Sequence, residues 1–452
     1  MLSIIPSELL VSILVLLDHR DLLHCSAVCR YLNETVKNTP ELRYVVELVR
    51  DGMSDGPPSD LSAAERLQLL LERREKRRTL NWERSRVILP SSYAVFGYQN
   101  GAFAMAVTPN NVVGPISSIL VTVFATNCQP ERLVVLDNLD VAPVKGFLVD
   151  PALDLVVLLM SNAGEHSEEG CFVYLHLRSL SSSAKDAYPD CHDPIIKASL
   201  PDVYQACPLD LWAIRLQVTN DLLGLYLRRD DAVTSSVFTW DWKSGAILAA
   251  LHDSASMTIC DFSFISQSAF LVTVAPREEP LDDEGQYVKE ASFRIYNLGD
   301  DPSGYNLASP AVIMYLPPVP VGTSLSVIPP IYWDFTAYSG PFTTLASSNC
   351  PFMTSESARI HVFDVEVIVY GSILAQFERD RPNVNRIMDF NIEASKDWEL
   401  VTEPTILKKP QVFAKPVTTS LPYRQVVIPV ASPECCELLL DDERLISVEA
   451  HQ

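Results

Sequence analysis

Apolar residues in the first fifty positions recur every three or four residues, which is the period of an amphipathic helix. The first run consists of Leu9, Leu10, Ile13, Leu14, Leu16 and Leu17. Pro6 precedes it, at a position that suits the first turn of a helix. Asp18-His19-Arg20 interrupts the pattern, Asp21 can cap a second helix, and Thr39-Pro40 begins a third. The pattern therefore predicts three helices within residues 1–50.

The first of these helices is apolar over more than half of its circumference, as a helix buried on two sides is. Three short helices offer too little surface to cover all these side chains among themselves. We therefore expect another surface to cover the rest, either the remainder of the chain or a separate partner.

Residues 51–60 are rich in Gly and Pro, which is typical of a linker. Ser62-Ala63-Ala64-Glu65 has the spacing of a capping box and predicts a helix from about Ala63 to Thr79. Its inward-facing residues would be Leu67, Leu70 and Leu71, with the arginines outward. We expect this helix to be a stalk between the first helices and the rest of the chain, with Trp82 anchoring its end.

From about Val87 onward the pattern changes to short apolar runs separated by Gly, Pro, Asn, Asp and Ser, which is typical of β-strands. A weak repeat runs through this region, in which an apolar strand leads to a bulky residue followed by Asp, Asn or His. Its copies are residues 133–137, 172–176, 237–241, 293–297 and 360–364. The bulky positions lie 39, 65, 56 and 67 residues apart, which fits a unit of ~40–45 residues with loop insertions.

The chain has 452 residues, of which 48% are hydrophobic, and its formal net charge is −22. A nucleic-acid-binding surface needs a basic face, so this charge argues against one. The run from Glu72 to Arg86 is a local exception with a net charge of +4, which we interpret as the solvated face of the stalk. No stretch approaches the ~20 apolar residues of a membrane-spanning helix, and residues 4–17 lack the basic start of a signal peptide.

The candidate chemistry is sparse. The ten cysteines follow no metal-binding spacing, since no second pair accompanies Cys25 and Cys29. Carboxylates cluster in residues 277–290, whose composition favours a solvated loop over an acid–base or metal site. Asp241 and Asp364 follow bulky strand residues, where we expect a turn-stabilising role first. No phosphate-binding loop, nucleophile elbow or zinc motif is present. We therefore predict no catalytic residue, no metal site and no cofactor.

The N-terminal residues resemble a known family. The run Ile5-Pro6-Ser7-Glu8-Leu9-Leu10, followed by Ile13-Leu14 and Leu17-Asp18, resembles the opening of the F-box. The run Arg20-Asp21-Leu22-Leu23-His24-Cys25-Ser26-Ala27-Val28-Cys29-Arg30-Tyr31-Leu32-Asn33 resembles its second half. The family opens with Leu-Pro where this chain has Ile5-Pro6, and Tyr44 stands where the family often has Trp.

This resemblance implies docking onto a Skp-type adaptor and, through the adaptor, onto a cullin. In the family the apolar face of the first two helices is the docking surface. Carried over by position, the adaptor-binding residues would be Pro6, Leu9, Leu10, Ile13, Leu14, Leu17, Leu22, Leu23 and Val28. The alternative is an ordinary helical hairpin that is buried against the larger domain.

The β-region resembles a degenerate WD-type β-propeller, because Trp240-Asp241 is followed by a tight-turn sequence, although the family's Gly-His dipeptide is absent. Its length predicts six or seven blades, and a pair of β-sandwiches is the alternative. The expected fold class is an α+β multidomain chain. It would comprise a three-helix F-box-like module at 1–50, a linker and stalk at 51–86, and a propeller-like domain at 87–452.

Together, the resemblances imply the substrate-recognition subunit of a Skp-cullin-F-box ubiquitin ligase. The widely spread cysteines favour reduced thiols, and hence a location in the cytoplasm or nucleus. The chain would bind the adaptor through the module and an unidentified target protein through the propeller. It would act by proximity, without a catalytic residue of its own. A non-ligase interaction scaffold and, less favoured, a propeller hydrolase are the alternatives. We expect neither nucleic acid nor a membrane as a partner.

Overall fold

A computed structural model of the chain describes most of its N-terminal three quarters and separate strands beyond. The described residues are 5–56, 58–79, 96–107, 116–124, 130–137, 139, 141, 143–162, 170–201, 204, 212–229, 234–253, 257–276, 288–289, 292–298, 309–315, 319–320, 332–339, 351–354, 361–368, 384–389, 399–403, 405–407, 417–419, 423–429, 435–440 and 445–449. The N-terminal part is helical, and antiparallel β-sheets follow.

Four helices, rather than the predicted three, form the segment from residue 7 to residue 50, which we call the helical module. They are α1 (Ser7–Leu14), α2 (His19–Val28), α3 (Arg30–Asn38) and α4 (Pro40–Arg50). The predicted second helix is divided at Cys29, whose backbone is extended at φ −159° and ψ 161°. Asp18, rather than Asp21, caps α2, because its side chain accepts a hydrogen bond from the Asp21 amide at 2.9 Å.

The stalk helix α5 (Ala63–Thr79) has the predicted bounds. Its capping box is formed in both directions. The Glu65 carboxylate accepts hydrogen bonds from the Ser62 amide and hydroxyl at 2.8 and 2.7 Å, and the Glu65 amide donates to Ser62 Oγ at 3.3 Å. Leu67 and Leu70 are buried in a cluster with residues of α4. Trp82 lies outside the described residues.

Four four-stranded antiparallel sheets follow the stalk, each with its strands arranged in chain order. Sheet 1 contains β2 (Phe96–Gln99), β3 (Ala102–Val107), β4 (Ser118–Val123) and β5 (Arg132–Leu136). Sheet 2 contains β6 (Gly146–Asp150), β7 (Leu155–Ser161), β8 (Phe172–Ser179) and β9 (Ile195–Ser199). Sheet 3 contains β10 (Trp212–Thr219), β11 (Leu222–Arg229), β12 (Ser235–Asp241) and β13 (Ala246–His252). Sheet 4 contains β14 (Met257–Phe264), β15 (Ala269–Pro276), β17 (Ser292–Asn297) and β18 (Val312–Tyr315).

The remaining strands form smaller antiparallel sheets. The pairs are β1 (Met53–Asp55) with β21 (Phe352–Thr354), β16 (Val288–Lys289) with β19 (Val319–Pro320), β20 (Tyr332–Ser339) with β22 (His361–Ile368), β25 (Thr405–Leu407) with β26 (Val417–Thr419), and β28 (Cys435–Leu440) with β29 (Leu445–Glu449). β27 (Tyr423–Pro429) lies between β23 (Val384–Asp389) and β24 (Glu399–Val401). No α-helix follows α5 in the described part of the chain, so the prediction of a β-rich region is confirmed.

Sheets 1 to 4 pack face to face in chain order. One apolar cluster joins sheet 1 to sheet 2, a second joins sheet 2 to sheet 3, and a third joins sheet 3 to sheet 4. In β7, Val156 and Leu158 belong to the first cluster, whereas Val157 and Leu159 belong to the second. Sheets 2 and 3 are therefore buried on both faces. A sandwich buries one face of each sheet, so the alternative of a sandwich pair does not fit these four sheets.

The first strands of successive sheets also form a continuous row. β2 contacts β6, β6 contacts β10, β10 contacts β14, and β14 contacts β20. Polar side chains reinforce this row: Gln99 Nε2 donates to the Val218 carbonyl at 2.9 Å, and Arg215 Nη1 donates to Asp261 Oδ2 at 2.7 Å. The sheets are thus joined to one another mainly along one edge and through their faces.

The predicted repeat has the wrong register in two of the four sheets. The third strand of each sheet ends opposite the first residue of the second strand, at Val123, Ser179, Asp241 and Asn297. These positions lie 56, 62 and 56 residues apart, which is more regular than the predicted spacing. Residues 237–241 and 293–297 end at such positions, whereas 133–137 overlap the fourth strand β5 and 172–176 end three residues too early. All five copies of the apolar motif therefore mark strands, since 360–364 overlaps β22, but only two mark equivalent strand ends.

Candidate functional site

Helix α1 has two apolar faces, one buried and one exposed. Leu10 and Leu14, one turn apart, are each only 4% exposed and lie in the core of the helical module. Leu9 and Ile13, also one turn apart, are 58% and 53% exposed. Leu16, in the turn that follows α1, is 84% exposed. Leu9, Ile13 and Leu16 therefore follow one helical stripe that points away from the core.

Helix α2 divides its apolar residues in the same way. Leu22 is fully buried in the module core, whereas Leu23 is 48% and Val28 71% exposed. The Asp18 cap fixes where this helix begins, and the hydrogen bond from the Asp21 amide lowers the pKa of the exposed Asp18 carboxyl. The strongly exposed apolar residues of α1, α2 and the turn between them are Leu9, Ile13, Val15, Leu16, Leu23 and Val28. We call them the exposed apolar set.

The core beneath this set comes from the module itself. Leu32 and Val36 of α3 and Leu42 of α4 pack with the buried leucines of α1 and α2. The expectation that the short helices could not cover their own leucines is therefore wrong for Leu10, Leu14 and Leu22. The additional helix produced by the break at Cys29 supplies part of this cover. The expectation holds for the exposed apolar set, since more than a third of each of these residues remains exposed.

The nine residues predicted to bind an adaptor thus separate into two groups. Pro6, Leu9, Ile13, Leu23 and Val28 are exposed, and Leu17 is half-buried against the core. Leu10, Leu14 and Leu22 are core residues, which support the surface and do not belong to it. Sequence reasoning missed Val15 and Leu16 as surface residues. The spacing of Leu16 from Leu9 and Ile13, seven and three residues, was the available signal.

Asp150, in the β-region, is a candidate acid–base group because of its burial and its shifted pKa. Asp150 has no exposed surface, and burial raises its pKa to about 6. Both of its carboxylate oxygens already accept hydrogen bonds, however. Oδ1 accepts hydrogen bonds from the backbone amides of Ala152 and Leu153 at 2.9 and 3.2 Å, and Oδ2 accepts from Gln99 and Asn100 at 3.2 and 2.5 Å. The side chain therefore closes a turn and joins sheet 2 to sheet 1.

Asp241 has the turn-stabilising role that the sequence predicted. Its Oδ1 accepts hydrogen bonds from the Lys243 and Ser244 amides at 3.0 and 3.1 Å, and Gly245 completes the turn with a φ of +75°. Asp364 differs from that prediction, because it lies inside β22 and not at a strand end. The acidic run 277–290 lies outside the described residues except for Val288 and Lys289.

The described residues contain neither a metal-binding cluster nor a membrane-spanning helix. No group of three or more His, Cys, Asp or Glu side chains there is arranged to hold a metal ion. None of the helices described is both long and apolar enough to cross a membrane.

Comparison with known proteins singles out the helical module. Residues 2–44 match the family model described as F-box-like, whereas none of the curated proteins matches the chain. Among solved structures, the chain is similar to one from a Saccharomyces cerevisiae complex of a dbp5 variant bound to nup159, a gle1 variant, IP6 and ADP. The identity is 10% and the TM-score 0.27, over 60% of this chain and 56% of that one. This chain thus spans little more than half the length of that relative, and so low a likeness carries no argument about the fold.

Proposed function

We propose that this chain is the substrate-recognition subunit of a Skp-cullin-F-box ubiquitin ligase. The observation that carries the proposal is the exposed apolar set on α1 and α2, inside the segment that matches the F-box-like family. Burial of one such side chain contributes about 1.5–3 kcal/mol, so a complementary surface that covers several of them gains a large binding energy. A Skp-type adaptor is the proposed partner, and a cullin is recruited through it.

We propose a β-propeller as the domain that presents the target protein. Four features of sheets 1 to 4 support it: the strand order, the burial of both faces of sheets 2 and 3, the row of first strands, and the regular spacing of the third strands. Blades that stack face to face around a central axis have all four features. Six or seven blades is the proposed number, with the target bound at loops or at the channel mouth.

The chain is proposed to act by proximity and without chemistry of its own. The adaptor side holds the ligase and the β-region holds the target, so that transfer becomes an event within one complex. The two most deeply buried carboxylates of the described part, Asp150 and Asp261, support this view, because each is engaged in joining neighbouring sheets. A location in the cytoplasm or nucleus is part of the same proposal.

Binding to a purified Skp-type adaptor, measured by calorimetry with the full chain, tests the proposal. Leu9→Asp and Ile13→Asp should each weaken binding by about 30-fold or more, which corresponds to a hot-spot energy of about 2 kcal/mol. Leu133→Asp is the matched control, since Leu133 is 52% exposed on β5, far along the chain from the module. It should leave the affinity unchanged.

Two outcomes would contradict the proposal: no binding by the unmodified chain, or equal binding by the two α1 variants and the control. Adding a cullin to the adaptor complex then separates a ligase subunit from a non-ligase scaffold. A ternary complex on size-exclusion chromatography supports the ligase, and a scaffold would stop at the binary complex.

A further inference from the structure

The stalk is held by a segment that lies far along the chain. β1, directly after the helical module, pairs with β21 in an antiparallel ladder, in which Met53 lies opposite Thr354 and Asp55 opposite Phe352. The Gly56 amide extends the ladder by donating to the Pro351 carbonyl at 3.0 Å. Residues 351–354 are therefore bound to the start of the linker by backbone hydrogen bonds.

Three N-terminal elements converge on the carbonyl of Pro351. Besides Gly56, Arg66 of α5 donates to it from Nη1 at 3.1 Å, and Tyr44 Oη of α4 lies 3.1 Å away. Asp55 orients both side chains, because its Oδ1 accepts from Arg66 and lies 2.8 Å from the Tyr44 hydroxyl. Burial, reinforced by the neighbouring Asp55 carboxylate, raises the pKa of Tyr44, so the hydroxyl keeps its proton at neutral pH. Arg66 is only 8% exposed, so its charge-assisted bond to the Pro351 carbonyl is shielded from solvent, whereas the Asp55 side chain is 59% exposed.

An apolar contact accompanies the polar ones. Phe352 packs against a cluster formed by Tyr44, Leu48, Met53, Leu67 and Leu70. These residues belong to α4, β1 and α5, so one aromatic ring touches the junction of all three elements. Burial of an aromatic side chain at such a junction contributes more to association than any single neutral hydrogen bond.

The elements that receive this segment are themselves tied together. Arg74 of α5 lies 2.6 Å from the Glu47 carboxylate of α4, and its Nε lies 2.8 Å from Asp51 Oδ1. All three side chains are largely buried, which limits screening of the ion pairs by solvent. Burial raises the pKa of Asp51, and the Arg74 guanidinium opposes that shift. These ion pairs hold α5 against α4, so the expectation that the arginines of α5 face outward is wrong for Arg66 and Arg74.

The other end of the segment leads into the sheets. Along the chain, β21 follows β20 and precedes β22. β20 and β22 pair directly with each other, and their ladder ends with Ser339 opposite His361. The connection that contains residues 351–354 is thus closed at its base by a ladder. β20 in turn contacts β14 of sheet 4. The stalk thus contacts β21 through β1, and the chain joins β21 to the β20–β22 ladder and so to sheet 4 through residues outside the described part.

We propose that residues 351–354 form a latch that fixes the orientation of the helical module and stalk relative to the sheets. A single covalent connection between the stalk and the sheets limits their separation but leaves their relative orientation free. A second point of attachment also restrains that orientation. If the proposed ligase function holds, the latch also sets the separation between the docked adaptor and a bound target, on which transfer by proximity depends.

A distance measurement on the full chain, without any partner, tests the latch. Donor and acceptor dyes on noncanonical residues at Lys37 of α3 and at Asp190, in the connection between β8 and β9, report the orientation in single-molecule energy transfer. Both positions are exposed. The unmodified chain should give one narrow distribution. Arg66→Met combined with Phe352→Ala should broaden it at least twofold. Arg30→Met combined with Leu133→Ala is the matched control, because both residues are exposed and away from the latch, and it should leave the width unchanged.

Hydrogen exchange shows whether the latch variant is open but still folded. Amides of β1 and β21 should lose protection in that variant, while amides of α1 to α3 keep it. An unchanged distance distribution together with lost β1 protection would overturn the proposal. If the module itself unfolds, Tyr44→Phe replaces the double variant. It removes one hydroxyl only and should speed exchange of the β1 amides by several-fold, and no change in that exchange would count equally against the latch.

The latch and the proposed ligase function can fail separately. Loss of the latch should leave adaptor affinity unchanged, since the exposed apolar set lies on α1 and α2, but it should slow transfer to a bound target. A chain that does not bind any Skp-type adaptor would refute the function and leave the distance result intact. A chain that binds the adaptor but shows a wide distance distribution in its unmodified form would refute the latch alone.

Discussion

Asp150 illustrates how a single buried carboxylate makes the stability of this protein depend on pH. All four of its hydrogen-bond donors are neutral amides, so no cation offsets the burial that raises its pKa from 3.8 to about 6. The folded chain therefore holds this proton more tightly than the unfolded chain does. Between about pH 4 and pH 6 the folded state binds more protons, and the free energy of unfolding falls as pH rises through that range.

Asp150→Asn should remove this pH dependence. A shift of about two units corresponds to roughly 3 kcal/mol at most, so urea unfolding between pH 4 and pH 7 should show a clearly smaller slope in the variant. The absolute stability will also change, because the new amide nitrogen cannot accept the hydrogen bonds of Gln99 and Asn100, and the slope is therefore the quantity to compare. Asp186→Asn, at an exposed position, is the control. Parallel curves for the unmodified chain and Asp150→Asn would contradict the assignment.

Helix α1 shows how one short element supplies both a core and a surface. Leu10 and Leu14 hold α1 against α3 and α4, while Leu9 and Ile13 are exposed one position earlier along the same two turns. Substitutions that test docking must therefore be chosen from the exposed stripe. A change at Leu10 or Leu14 would alter the fold of the module before it altered any contact with a partner.

Leu10→Ala and Leu14→Ala should each destabilise the module by about 2–5 kcal/mol, because each leaves a cavity in a packed core. Leu9→Ala and Ile13→Ala should change its stability by no more than about 0.5 kcal/mol. Hydrogen exchange of the α1 to α3 amides measures this locally, which matters in a chain whose regions need not unfold together. Equal effects at all four positions would mean that the two faces of α1 are not distinct in solution.

The sequence predicts elements well where the chain carries a local signal. The Ser62–Glu65 capping box and the leucine period give the bounds of α5, and the box is present as hydrogen bonds. The break at Cys29 has no such signal, since neither Gly nor Pro marks it and the apolar period continues through it. The spacing of apolar residues likewise identifies the apolar positions of α1. It does not show which face of the helix is buried, because α3 and α4 bury that face.

Contacts between distant residues lie beyond local sequence patterns. The repeat locates strands because apolar alternation is local, but its register is wrong in sheets 1 and 2, where strand pairing decides which residues are equivalent. Nothing in Pro351-Phe352-Met353-Thr354 indicates a partner near residue 54, since a three-residue ladder is set by tertiary structure. Likewise, the sequence does not predict that both faces of sheet 2 are buried, because sheets 1 and 3 supply that cover.

The packing of sheet 3 on sheet 4 depends on a residue that has no side chain. Gly224 of β11 faces β14, and a Cβ atom added there would lie 2.5 Å from two ring atoms of Phe262 and 3.0 Å from Phe264. Neither ring can move easily, because both are buried and meet edge to face at 5.7 Å. Gly97 of β2 has no atom within 4 Å of the same added Cβ. The two glycines therefore give a matched test of face-to-face packing between sheets.

Gly224→Ala should destabilise the β-region by about 1–3 kcal/mol, as overpacking of a close-packed interior does. Gly97→Ala should be neutral or stabilising by up to about 1 kcal/mol, because it only reduces the freedom of the unfolded chain. The two substitutions add the same methyl group to a strand, so the opposite signs isolate the contact between the sheets. Hydrogen exchange should show lost protection in both β11–β12 and β14–β15 for Gly224→Ala, since the methyl group separates the two sheets. Protection lost in sheet 3 alone would mean that the sheets are not stacked on one another at this point, and the proposed succession of blades would lose its support there.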